Sequence, residues 1–133
     1  MDTISPWVAV VDDEAAIRRA LLRLLRAAGI AAREYAGGAA LLAELESADE
    51  HGRVTPYCVV LDLHMPGMSG FELQERLAEL LPHTGVIAVT GHHSAEIQAR
   101  LQHANLVAYL LKPMNDQLLL AALAAALAVW NGL

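Results

Sequence analysis

Tyr57-Cys58-Val59-Val60-Leu61-Asp62-Leu63-His64-Met65-Pro66-Gly67-Met68-Ser69-Gly70 carries an apolar run straight into one carboxylate, and a proline- and glycine-rich loop follows at once. A short, continuous apolar run bounded by turn signals reads as a strand buried on both faces, as in parallel sheets. Pro66, Gly67 and Gly70 stop that strand and turn the chain. Asp62 therefore stands where a central strand ends, at the rim where open α/β sheets hold their ligands. A buried charge is costly there unless it is paired or bound to a metal. Taken alone, the stretch also admits a plain helix-capping or turn-forming Asp, so the rest of the chain must decide.

A second apolar run, Trp7-Val8-Ala9-Val10-Val11, ends in the adjacent carboxylates Asp12-Asp13. Ile17, Leu21, Leu24, Leu25 and Ala28 then fall at the three-and-four spacing of a buried helical stripe, and Gly29 stops the helix. Residues 32–35 suit a short strand, and Gly37-Gly38 lead into a second helix through Leu41, Leu42 and Leu45. The polar stretch from Ser47 to Pro56 reads as loop. A third helix is predicted over Ser69 to Leu80, and a fourth strand over Gly85 to Thr90. Ser94 is a good N-cap for a helix reaching His103. Leu106 to Leu111 makes a fifth strand closed by Lys112-Pro113, and Asn115 or Asp116 caps a last helix. Five two-faced strands alternating with five helices predict a doubly wound, open parallel α/β sheet in a single domain.

The totals agree with this. A chain of 133 residues with 56% apolar content can bury a real core and is not disordered. Nine basic against fifteen acidic residues give a net charge of −6, which offers nucleic acid no general attraction. The single cysteine, Cys58, lies inside the central strand as a small core residue, and one thiol forms no internal disulfide. Residues 1–6 have neither a basic start nor an apolar signal core, and no uncharged stretch reaches spanning length. These features predict a soluble cytoplasmic domain without membrane association.

In a parallel sheet all strand C-termini share one edge. That edge gathers Asp12 and Asp13 from the first strand, Asp62 from the third, Thr90 from the fourth and Lys112 from the fifth. Two carboxylates about 5 Å apart repel by roughly 3 kcal/mol at an effective dielectric near 20. Three of them either hold a proton or recruit a cation. Oxygen-only ligands favour a hard ion such as Mg²⁺ over zinc. Asp62 suits a nucleophile, because a carboxylate can form an acyl phosphate directly. Lys112 and a metal would neutralise the transferring group, and Thr90 would hydrogen-bond one of its oxygens.

With Val11-Asp12-Asp13-Glu14, the Leu61-to-Gly70 segment, Thr90-Gly91-His92 and Lys112-Pro113 in this order, the chain resembles the receiver domain of bacterial two-component response regulators. It looks most like the FixJ-type branch, from about Val8 to about Val129. The resemblance implies a flavodoxin-like sheet of order 2-1-3-4-5 over residues 1–133, with no output domain in this chain. It implies a signalling domain rather than an enzyme, one that assists its own phosphorylation and dephosphorylation. Asp62 would accept a phosphoryl group from a histidine kinase or histidine phosphotransfer protein. Asp13, Asp62 and the backbone carbonyl of His64 would hold Mg²⁺, with Asp12 acting largely through water. Thr90 and Tyr109 would form a switch pair, and the Lys112-Pro113 bond would be cis.

Several readings accompany this one. Asn105 stands where the family commonly has Gly, and its tolerance of the left-handed region would preserve that turn. Met114 replaces a frequent aromatic, which would loosen packing at the start of the last helix. The imidazole of His64 is expected to face solvent, and His92-His93 to lie in an exposed loop. Arg18, Arg19, Arg23 and Arg26 form a solvated row on the first helix, where the family's kinase partner docks. A phosphohydrolase with an Asp nucleophile would want an acid where His64 stands, and a flavin binder would want a phosphate loop in place of Asp12-Asp13-Glu14. An inert receiver-like module would lack part of the acidic and lysine set, which is complete here. On the last helix, Leu119, Leu120, Leu123, Leu127 and Trp130 form the stripe expected to cover the sheet. Leu118, Ala121, Ala122, Ala125, Ala128 and Val129 leave the other side apolar too, which predicts a homodimer or output domain on the face of the fourth helix, fifth strand and last helix.

Overall fold

The computed structural model describes residues 6–47, 55–92 and 94–133. Most of the predicted loop before Pro56, His93 and the first five residues lie outside that set. The elements run β1 (Trp7–Val11), α1 (Ala15–Ala27), β2 (Ala31–Tyr35), α2 (Gly38–Ser47), β3 (Cys58–Asp62), α3 (Gly70–Leu80), β4 (Gly85–Thr90), α4 (Ala95–His103), β5 (Ala108–Leu111) and α5 (Asp116–Asn131). The strands form one parallel sheet of order β2-β1-β3-β4-β5. The chain steps from β1 outward to β2 and then back past β1 to β3, so the sheet's direction of winding reverses between β1 and β3. Ligands of such sheets sit at the carboxyl ends flanking that reversal.

Side-chain alternation divides the core into two layers. Trp7, Ala9, Val11, Val59, Leu61, Val86 and Ala88 face one side, where Leu41, Leu42, Leu45, Leu73, Leu77 and Leu101 of α2, α3 and α4 close over them. Val8, Val10, Cys58, Val60, Ile87 and Val89 face the other, against Leu21 and Leu25 of α1 and Leu119, Leu123 and Ala126 of α5. Burial pushes the Cys58 thiol up to about 12, which keeps it protonated and inert.

Local signals place the helix starts. Ser69 and Glu72 form a reciprocal capping box at α3, while Ser94 and Asn115 accept from Ile97 N and Leu118 N at α4 and α5. Gly29 ends α1 at φ +77°, beyond the last helical turn. Ala28 is consequently exposed rather than part of the stripe, and Leu22 is buried in its stead. β5 begins at Ala108 rather than Leu106, because Leu106 N turns back to Ala104 O. Among the described residues no non-glycine has positive φ, so the turn at Asn105 does not use the left-handed region. Met114 is half-buried and packs against the second layer.

Gly70 brings α3 against the end of β3. A Cβ there would lie 2.5 Å from both Asp62 O and Leu63 Cα, which are backbone atoms with no room to yield. Gly70→Ala is expected to destabilise the fold by about 1–3 kcal/mol, the usual scale of overpacking. Urea denaturation checks this; an unchanged midpoint would show that the loop relaxes freely.

Candidate functional site

Asp12 follows the last residue of β1 and is buried, as are Asp62 at the end of β3 and Thr90 at the end of β4. Backbone bonds extend the ladders past the strands and fix these ends. Asp12 N donates to Tyr35 O at 3.2 Å, Leu63 N to Val89 O at 2.9 Å, and Lys112 N to Thr90 O at 2.8 Å. The bond from Lys112 to Pro113 is cis.

Carboxylate oxygens of Asp12, Asp13 and Asp62 all lie within 4.8 Å of one another. Lys112 reaches in from β5, its Nζ 3.2 Å from Asp62 Oδ2 and 3.4 Å from Asp12 Oδ2. Burial pulls its ammonium down, but the two carboxylates outweigh that and hold it above its ordinary value. One ammonium against three carboxylates leaves negative charge over, and oxygen donors at this spacing could hold a hard cation. The other oxygen of Asp12 and of Asp62 is oriented by a backbone amide: Glu14 N donates to Asp12 Oδ1 at 2.9 Å and His64 N to Asp62 Oδ1 at 3.1 Å.

Among the described residues, neither Thr90 nor Tyr109 is hydrogen-bonded to these carboxylates. The Thr90 hydroxyl is bonded to His92, donating to its carbonyl at 2.9 Å and accepting from its N–H at 3.0 Å. Tyr109 lies half-buried beside α4's layer of the core, paired in register with Ala88. The His64 imidazole is not free, contrary to expectation. Although the residue is exposed, its Nε2 lies 3.2 Å from Thr90 Oγ1, and its ring meets that of His92 edge-on at 4.7 Å.

Arg18 also departs from the solvated row. Its side chain is only 14% exposed, its Nη1 donating to Asp12 O at 2.7 Å and its Nε pairing with Glu34 at 2.9 Å. It thereby clamps the acidic end of β1 to α1 and β2. Residue type and spacing did not mark this role, though the position one turn into the helix after the acidic pair is a usable signal. Arg19, Arg23 and Arg26 do line an open cleft on α1, with Leu22 and Glu34.

Residues 8–124 match the response regulator receiver domain family. The chain is 37% identical over 119 residues to nodulation protein W of Bradyrhizobium diazoefficiens, covering 90% of this chain and 50% of that one. It is 33% identical over 120 residues to the transcriptional regulatory protein FixJ of Azorhizobium caulinodans, covering 90% and 54%. The chain thus spans about half the length of these relatives. A response regulator receiver protein from Burkholderia phymatum superposes with a TM-score of 0.81 at 41% identity, covering 93% of this chain and 96% of that structure. With its acidic cluster at the reversal of a 2-1-3-4-5 sheet, this chain belongs to the response regulator receiver domain family of two-component signalling, among relatives of the FixJ type.

Proposed function

We propose that Asp62 is the phosphoacceptor of a Mg²⁺-dependent switch. The observation that carries this reading is Lys112 Nζ held 3.2 Å from Asp62 inside a three-carboxylate cluster. An Asp62 oxygen attacks the phosphorus of a phosphohistidine on a sensor kinase or phosphotransfer protein. The P–N bond breaks, its electron pair stays on the imidazole, and an aspartyl phosphate forms. Mg²⁺, when bound, would neutralise charge on the transferring group. Asp13, Asp62 and the His64 carbonyl would hold it, with Asp12 acting largely through water. Lys112 follows the charge from the carboxylate onto a phosphoryl oxygen, Thr90 donates to another, and Tyr109 turns inward behind it. Hydrolysis of the acyl phosphate at the same site resets the switch. Residues 1–133 act as the receiver unit, in the cytoplasm, upstream of an output domain or partner. Among the described residues no helix is long and apolar enough to cross a membrane.

The output surface is α4-β5-α5. Leu119, Leu123 and Ala126 of α5 are buried, and Leu120, Ala122, Leu127 and Trp130 pack half-buried beside them. Leu118 and Val129 are 59% and 65% exposed, and Leu111 of β5 is exposed as well. Ala122 leans on the core rather than outward, so it is not a clean probe of that surface. The first turn of α5 carries Asp116 and the rest no charge, so contacts there are apolar and suit a second copy or an output domain.

Incubation with acetyl phosphate and Mg²⁺ should add one phosphoryl group by intact mass, and none to Asp62→Asn. Equal labelling of the Asn variant would refute the assignment. Calorimetric titration with Mg²⁺ alone should find Asp13→Ala weakened by a factor on the order of 10–100, the scale on which even outer-shell partners of a metal matter. His64→Ala should lose far less, because the backbone carbonyl survives; the reverse ranking would point to an imidazole-bound metal. Leu118→Glu with Val129→Glu should abolish any increase in sedimentation induced by beryllofluoride. Monomeric behaviour of the parent in both states would remove the homodimer.

A further inference from the structure

The geometry points to His64 as a positioning residue that latches the Thr90 hydroxyl in its resting orientation, so that the His64 side chain sets how readily the site accepts a phosphoryl group. The inference rests on Asp62 as the phosphoacceptor.

A hydroxyl has one proton and two lone pairs. The His92 carbonyl, 2.9 Å from Thr90 Oγ1, can only accept, so it takes the proton. The His92 N–H, 3.0 Å away, fills one lone pair. His64 Nε2 at 3.2 Å fills the other, and must carry a proton to do so. Thr90 is 1% exposed, so no solvent competes for these bonds. With His92 and His64 as partners the hydroxyl is saturated and has nothing left to offer a phosphoryl oxygen on Asp62.

Donating to that oxygen requires Thr90 to withdraw its proton from His92 and to swing away from both partners. His64 resists the second movement. Its backbone N–H is tied to Asp62 Oδ1 at 3.1 Å, and its ring is braced edge-on against His92 at 4.7 Å and 83°. A contact of this geometry lies in the favoured range for aromatic pairs. The residue therefore spans two loops, its backbone N–H on the acceptor carboxylate and its ring on the switch hydroxyl. A ligand that binds only the released arrangement has its apparent affinity reduced by the fraction of molecules already released. Removing one hydrogen bond from the resting arrangement raises that fraction by roughly three- to tenfold.

Calorimetric titration of the full chain with beryllofluoride at saturating Mg²⁺ reads this fraction. His64→Ala is expected to bind about three- to tenfold more tightly than the parent. His64→Gln, whose amide N–H reaches a similar position, should return to within about twofold of the parent. In a Thr90→Ala background the effect of His64→Ala should vanish, which a merely structural role would not produce. In the free protein, imidazole ¹⁵N spectra should show the Nε2–H form of His64, lost on adding beryllofluoride. Equal affinity of parent and His64→Ala, or an effect that persists without the Thr90 hydroxyl, overturns the latch. So does weaker binding by His64→Ala, which would place the imidazole on the anion instead. A parent that takes up no beryllofluoride at all overturns the phosphoacceptor reading, and the latch with it.

Discussion

Repulsion among three carboxylates at one edge of the sheet is the constraint that the rest of this molecule answers. With oxygens inside 4.8 Å, each pair opposes the other by about 3 kcal/mol at an effective dielectric near 20. The fold holds them together from several directions. Parallel strands buried on both faces bring Asp12 and Asp62 to neighbouring ends. Arg18 clamps the carbonyl of Asp12 from α1, and the missing side chain at Gly70 lets α3 close under the Asp62 backbone. Lys112 crosses from the edge strand and bonds to two of the three acids, leaving the charge only partly balanced. The stable sheet thus maintains a local imbalance that a divalent cation would relieve.

Much of this was legible beforehand because the signals are strong and local. Continuous apolar runs at residues 7–11 and 58–61 can hardly be anything but inner strands, and each leads directly into acids. Once the strands are parallel, the convergence of Asp12, Asp13, Asp62 and Lys112 follows from topology alone. The edges were harder to read. β2 is mostly exposed and β5 begins two residues late, because an edge strand has one ladder and less burial to define its limits. The placement of Ala28 missed because the helix ended a residue earlier than its apolar spacing suggested.

The roles that escaped notice belong to long polar side chains. Arg18 and His64 carry heads several bonds from the backbone, so periodicity reports where each residue starts and not where its charge or donor ends. Arg18 occupies a position that reads as solvated helix surface, yet its guanidinium turns inward to the end of β1. His64 belongs to an exposed loop, yet its ring bends over a buried hydroxyl. Only the three-dimensional neighbour, an oxygen needing a donor, distinguishes these from ordinary surface groups.

Under the proposed function, how a charge at Asp62 would reach the α4-β5-α5 face is limited by what can move. The sheet itself is a poor transmitter, since β1, β3 and β4 are packed on both faces and close-packed interiors resist continuous deformation. The backbone of β4 is also tied to Lys112 through Thr90 O, so the strand ends move together or not at all. Side chains at the rim have more freedom. Under the proposed mechanism, the Thr90 hydroxyl can leave His92 without disturbing any ladder bond, and the loop it abandons leads directly into α4. Tyr109, half-buried one strand away on the same side of the sheet, packs against the core layer that also holds Leu101 of α4. Under that mechanism a rigid sheet would confine the response to the β4–α4 loop, α4 and β5, the elements beside the apolar surface of α5.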